Sequence, residues 1–294
     1  MAAEPTISAF FDQPTNTVSY LVADPASGQA VVVDPVLGFD PASGLVDTGP
    51  ADRIIAAAAD QGLSIGLVLE THAHADHLTA AGIFREKSGA KVGIGARIRD
   101  VQQVFAPLFG ADDVKPDGGD FDLLLDDGQR LSLGALEIEV IATPGHTPAC
   151  VSYRIGDAVF VGDTLFMPDY GTARTDFPGG CARQLYCSIQ RILALPPATR
   201  LFMCHDYKAP GRTEFAWETT VADERARNVH LGGGTSENSY VAMRQARDAK
   251  LSAPELLLPA IQVNIRAGRF PPADGNGVSF LKIPVRWEKS PGTV

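Results

Sequence analysis

The chain has 294 residues, 45% of them hydrophobic, with a formal net charge of −10 and a sequence pI of about 5.0. That apolar content suffices for a sizeable core, and an acidic chain with no run of Lys and Arg argues against binding nucleic acid or an anionic membrane. No stretch approaches the roughly 18 consecutive apolar residues of a membrane helix, and the N-terminal MAAEPTISAFFDQ has neither region of a secretory signal, so a cytoplasmic enzyme is expected.

Taken in order, Val18–Ala23 and Ala30–Asp34 are apolar runs joined by the turn-rich Asp24–Gln29, which predicts a β-hairpin. Residues 38–50 are rich in Gly, Pro, Asp and Ser and read as a loop. Residues 51–61 are Ala-rich with helical periodicity, and Gly62 is a suitable C-cap. Gly66–Leu69 then reads as a short buried strand. It leads straight into Glu70-Thr71-His72-Ala73-His74-Ala75-Asp76-His77, and residues 78–87 read as a helix. His72 and His74, two apart on an extended segment, point to the same side. Asp76 and His77 fall at the strand-to-helix turn. Three of the six histidines in the chain thus converge with an aspartate at one strand end. Burying them together without a cation would leave polar groups poorly paired. Imidazole and carboxylate suit zinc, iron or manganese.

Lys91–Gly95 is another short strand, and residues 98–109 form a helical pattern that Pro107 kinks or stops. Residues 112–120 read as a surface loop, and 122–133 and 136–143 as strands with a turn near Gly134. The rigid turn Thr143-Pro144-Gly145-His146-Thr147-Pro148 delivers His146 at a strand end. After strands at 151–155 and 158–162 comes Asp163. A carboxylate at that point is a helix cap or a ligand, and the neighbouring clusters favour a ligand. Residues 181–195 read as a helix stopped by Pro196 and Pro197, and residues 201–206 as a strand ending at His205. Residues 217–229 and 236–251 read as helices, and 256–268 and 278–284 as strand-like. The four cysteines, Cys150, Cys181, Cys187 and Cys204, form no CxxC pair and are expected to be free, buried thiols. Strand-rich halves flanked by helices suggest one α/β domain.

The set HxHxDH at 72–77, His146, Asp163 and His205, each group after an apolar strand, resembles the ligand pattern of the metallo-β-lactamase superfamily. The resemblance implies an αββα sandwich, two mixed sheets between helices, formed by residues 1–294 as one domain with a family-specific segment from about residue 206. Three stretches resemble persulfide dioxygenases in particular: GTARTDF at 171–177, Asp223-Glu224-Arg225 beyond His205-Asp206-Tyr207, and VNIRAG at 263–268. MPDYGTAR at 167–174 is similar to a bacterial β-lactamase-like branch, whereas residues 98–120 and the Asp169-Tyr170 pair depart from the shorter, mitochondrial-type members.

The resemblance implies oxidation of glutathione persulfide by O₂ to sulfite and glutathione in sulfide detoxification. It implies one Fe(II) per chain held by His72, His146 and Asp163, two histidines and a carboxylate. His74, Asp76, His77 and His205 would then support these ligands or hold a second metal. Arg174 would pair with a glutathione carboxylate, or else with Asp176 or Asp169, and Tyr207 would line the pocket. The same donors suit zinc. The alternative is a dinuclear zinc thioesterase of the glyoxalase II type, in which a metal-bound hydroxide attacks the thioester. The strand-like 256–268 and 278–284 weigh against the helical C-terminal region of those enzymes. The oligomeric state stays open, a homodimer included.

Overall fold

The computed structural model describes residues 4–285. Two six-stranded sheets pack face to face. The first has the order Thr6–Asp12, Thr17–Ala23, Gln29–Val33, Ser64–Glu70, Lys91–Gly95 and Leu123–Leu125; its first three strands pair antiparallel and the rest parallel. The second has the order Arg130–Leu133, Leu136–Ala142, Val151–Ile155, Ala158–Phe160, Arg200–Phe202 and Glu218–Thr220. It is antiparallel except where Ala158–Phe160 meets Arg200–Phe202. A small third sheet joins Leu45–Asp47, Val36–Asp40 and Leu78–Thr79.

The helices are α1 (Gly49–Asp60), α2 (Ala81–Ser88), α3 (Ile98–Phe109), α4 (Ala182–Leu193), α5 (Val221–Arg227), α6 (Glu237–Asp248) and α7 (Leu257–Asn264). Tyr20, Tyr153, Phe160 and Phe202 fill the layer between the sheets. Helices α1, α2, α3 and α7 pack on the outside of the first sheet, and α4, α5 and α6 on the outside of the second. Strand Thr17–Ala23 is buried along its whole length because both of its faces are covered, so it carries a nearly unbroken apolar run rather than an alternation. This is the αββα sandwich of a metallo-β-lactamase fold. Among the described residues no helix is long and apolar enough to cross a membrane.

Several segments differ from their sequence reading. Residues 38–50 are a hairpin, not a loop: Val36–Asp40 and Leu45–Asp47 pair around an exposed turn at Gly44, and Pro50 already sits in the first turn of α1, where its missing N–H costs nothing. Residues 122–133 are two strands, because the turn at Gly128 carries the chain from the edge of one sheet to the edge of the other. Thr6–Asp12 is an edge strand, half-buried and without a sharp apolar pattern. Residues 71–77 are irregular, and Leu78–Thr79 is a short strand before α2. Helix α3 runs through Pro107 to Phe109 and ends at the left-handed Gly110. Residues 218–220 pair as a strand, and the Thr220 side chain then caps α5 by accepting from the Asp223 N–H.

The largest correction is at 256–268. Residues 257–264 form helix α7, not a strand, and Val263 and Asn264 of VNIRAG end it. Residues 260 to 264 are all buried, so the helix lacks the polar face that would have betrayed its period. Pro259 lies in its first turn. Residues 278–284 form no regular element. The cysteines are free, but Cys181 is half-buried and Cys187 exposed; only Cys150 and Cys204 are buried.

The turn that follows α7 meets α2 through two glycines. A Cβ on Gly82 would lie 2.6 Å from the Gly268 carbonyl oxygen, and Gly268 itself has φ +83°. Gly82→Ala should therefore cost about 1–3 kcal/mol through overpacking, read as a lower urea midpoint. An unchanged midpoint would show that the two backbones can part without cost.

Candidate metal centre

The seven donors predicted from the sequence meet at one end of the two sheets. The irregular loop 71–77, leaving Glu70, brings His72, His74, Asp76 and His77. The turn after Leu136–Ala142 brings His146, the turn after Ala158–Phe160 brings Asp163, and the chain beyond Arg200–Phe202 brings His205. Asp163 caps no helix. Its Oδ2 lies 3.6 Å from His146 Nε2 and 4.0 Å from His72 Nε2, and its Oδ1 lies 3.4 Å from His205 Nε2.

Two donor groups result, each with ligand atoms within 4.8 Å of one another: His72, His146 and Asp163, and His74, Asp76, His77 and His205. Asp163 stands between them. Six of these side chains carry a buried polar atom with no hydrogen-bond partner: His72 Nε2, His74 Nδ1, Asp76 Oδ2, His77 Nε2, Asp163 Oδ1 and His205 Nε2. Unpaired buried polar atoms are costly, and a cation within either donor group would partner the orphan atoms of that group. Burial, reinforced by the neighbouring His74 and His146, holds the pKa of His72 well below its ordinary value and so favours the neutral, ligating imidazole. His146 donates from Nδ1 to the Arg174 carbonyl at 2.8 Å, which leaves Nε2 to face Asp163.

The donors floor a cleft of about 750 Å³. Asp76, His146 and Asp163 line its base. The hairpin at 36–47 forms one wall, where Leu45 is exposed at the lip. Phe177 meets His146 edge-on at 5.2 Å, and Tyr207 stacks on His205 at 5.5 Å and also lines the cleft. Arg174 is on the wall too, but its fork is already committed. Nε and Nη2 bind Asp176 at 2.6 and 2.7 Å, and Nη1 donates to the Ser252 carbonyl at 2.8 Å. Asp169 pairs instead with Arg212.

The family model described as Metallo-beta-lactamase superfamily matches residues 12–205. The chain belongs to the metallo-β-lactamase superfamily. It is 52% identical to a protein of Burkholderia pseudomallei named "Probable metallo-hydrolase", over 95% of this chain and 99% of that protein. It is 31% identical to the mitochondrial persulfide dioxygenase ETHE1 of Homo sapiens, over 88% of this chain and 87% of that one. The crystal structure of ETHE1 from Myxococcus xanthus superposes with a TM-score of 0.72 at 32% identity, covering 90% of this chain and 100% of that one.

In this superfamily member the histidine loop is held from outside. Asp34, at the end of its strand with φ +48°, accepts from the Thr71 N–H at 2.7 Å, the Thr71 hydroxyl at 2.8 Å and His74 Nε2 at 3.0 Å. Burial opposes charge on both partners, yet their mutual attraction and hydrogen bonds hold Asp34 below, and His74 well above, their ordinary pKa values. With Nε2 donating to Asp34, Nδ1 of His74 faces the second donor group, where a metal would have to displace its proton to bind. Thr17 lies against both His77 and His205.

Asn264, from VNIRAG, reaches across from α7. It donates to the carbonyls of His74 and His77 and accepts from the Thr79 N–H, all at 2.8 Å. Sequence reading missed Asp34, Thr17 and Asn264 as parts of the site. Asn264 had a signal, since it sits inside one of the stretches that carried the resemblance. Asp34 and Thr17 had none, because a strand-end aspartate and a strand threonine are common. Asn264→Ala would strip three backbone groups of their partner and cost about 1–3 kcal/mol. The expected outcome is a lower melting temperature together with lower metal content, by elemental analysis, than the wild type purified alongside. Full metal content in the variant would show that the loop keeps its shape without this clamp.

Proposed function

We propose that the chain is a persulfide dioxygenase with one Fe(II) held by His72, His146 and Asp163. Glutathione persulfide, O₂ and water give glutathione and sulfurous acid, which ionises to sulfite, as a step of sulfide detoxification. The observation that best supports this reading is the similarity to ETHE1 proteins over nearly nine-tenths of the chain. The donor group of two histidines and one carboxylate, with His146 and Asp163 lining the cleft, is compatible with it.

An iron(II) in this position would supply the O₂ and one-electron chemistry. The chain supplies orientation and shelter. The Arg174 carbonyl fixes the His146 ring, Asp34 fixes His74 and Thr71, and Phe177, Phe166 and Tyr207 give the floor an apolar surround. Tyr207 lines the cleft and stacks on His205.

The second donor group supports another reading, a dinuclear zinc hydrolase acting on a glutathione thioester. The 52% identical relative carries a hydrolase name. The strand-like C-terminus that weighed against this alternative is helical at 257–264, so that argument falls away. The donors themselves do not choose, since imidazole and carboxylate bind zinc more tightly than Fe(II).

Elemental analysis, an oxygen electrode and a sulfite assay on protein made in iron-supplemented cells decide between the two. The expected result is about one iron per chain, O₂ uptake with glutathione persulfide, sulfite release, and poor hydrolysis of S-lactoylglutathione. Two zinc ions per chain with brisk thioester cleavage and no O₂ uptake would overturn the dioxygenase in favour of the hydrolase. Asp163→Ala should lose the activity and most of the metal in either case; full metal content would remove Asp163 from the ligand set.

A further inference from the structure

The wall of the cleft that faces α6 holds a cation with no counter-ion. Arg247 lines the cleft, is exposed, and makes no ion pair or hydrogen bond among the described residues. Glu255, an exposed acid lining the same cleft, forms no ion pair with it, and the nearer polar groups are otherwise engaged. Arg244 binds Asp248 and the Thr172 carbonyl, Arg174 is held by Asp176 and the Ser252 carbonyl, and Asp248 also accepts from Thr175. A free guanidinium fork in a concave site suits a carboxylate, which it can meet with two parallel N–H donors.

Beside it lies His230, which the sequence did not single out. Its Nδ1 accepts the Thr172 N–H at 3.0 Å. A backbone N–H can only donate, so Nδ1 carries the lone pair and the ring proton sits on Nε2. His230 lines the cleft, and Nε2 has no protein partner among the described residues. Burial, then the charges of Arg247 and Arg244, lowers its pKa to about 4, so at neutral pH it is an uncharged donor with a fixed tautomer. A side chain on Gly171 would collide with this ring, since a Cβ there would lie 2.2 Å from Nδ1. The glycine of GTARTDF is what lets His230 dock.

We propose that Arg247 and His230 form a carboxylate subsite in this cleft that takes an acid group of the persulfide carrier. The inference deepens the dioxygenase reading and rests on it for the sulfur end of the substrate. Arg247 holds the carrier's acid group, His230 Nε2–H adds a second donor, and the sulfur points toward His72, His146 and Asp163. Arg174, the cation that the sequence singled out for this contact, would have to abandon Asp176 to make it.

The test is calorimetric titration with S-methylglutathione, an unreactive thioether of the proposed carrier, and with its diethyl ester. Wild type should bind the acid. Arg247→Gln should weaken that binding about ten- to a hundredfold, the loss expected for one charge-assisted contact. Arg247→Lys should recover part of it. The ester should bind weakly to wild type and no more weakly to Arg247→Gln. Arg247 is exposed, so both variants should fold, which melting curves verify. With glutathione persulfide, Arg247→Gln should raise KM more than it lowers kcat.

Equal binding by wild type and Arg247→Gln, equal binding of acid and ester, or no binding of the acid by wild type would each overturn the subsite. Sulfite production by wild type alongside any of these leaves the dioxygenase standing without it. Arg247-dependent binding of the acid by a wild-type protein that makes no sulfite supports the subsite and overturns the dioxygenase.

Discussion

The loop 71–77 has almost no hydrogen-bond ladder of its own, yet it must hold four metal-type donors in place. Apart from the contacts of Thr71 with His72 and of Asp76 with His77, its restraints come from elsewhere. Asp34 takes the Thr71 N–H and His74 Nε2, and the Val151 N–H donates to the Thr71 carbonyl. Tyr153 crosses between the sheets to donate to the Glu70 carbonyl at 2.7 Å, and Asn264 ties the carbonyls of His74 and His77. These anchors come from both sheets and from a helix nearly two hundred residues away in sequence. A loop held this way is preorganised: the cost of ordering it is met by folding rather than by metal binding. Asp34 supports this role at the price of a left-handed backbone, a conformation tolerated best by Asp and Asn among residues with a Cβ.

The cleft is asymmetric in a way that follows from the same layout. Its floor comes from strand ends of both sheets. One wall comes from the hairpin at 36–47, and the other from the region of Tyr170, Tyr207, His230 and Arg247. The segment beyond residue 205 thus does two jobs. Glu218–Thr220, α5 and α6 extend the second layer and carry the cationic wall, while α7 crosses to the first layer and clamps the histidine loop. Floor and wall can vary independently, because the hydrogen bond from His146 to the Arg174 backbone carbonyl is the one that joins a metal-type donor to these wall residues.

Two arginines on one wall show why partner geometry outweighs residue type. Arg174 and Arg247 have the same chemistry and both face the cleft. Arg174 has a bidentate carboxylate two residues away and a carbonyl on its third nitrogen. Drawing it to a ligand would leave Asp176 alone, so the net gain is small. Arg247 exchanges only water for a ligand. Asp248, its chain neighbour, is already taken by Arg244 and Thr175.

The sequence by itself named the candidate donors and an α/β domain, and the family resemblance carried by those donors implied the sandwich. Histidines and aspartates buried together at strand ends are poorly paired without a cation, and apolar runs of strand length between helical patterns allow few layer arrangements. That is why His72, His74, Asp76, His77, His146, Asp163 and His205 could be named from local pattern alone. Only the tertiary structure decided the rest. It showed that 257–264 is a helix, since complete burial erases the amphipathic period that distinguishes a short helix from a strand. It showed that Arg174 is paired and Arg247 is not, since pairing depends on which acids the fold brings within reach. It brought Asp34, Thr17, His230 and Asn264 to the site, since each acts through a contact spanning dozens of residues in sequence. Local chemistry fixes which atoms can bind a metal, and long-range packing fixes which of their neighbours remain free to bind anything else.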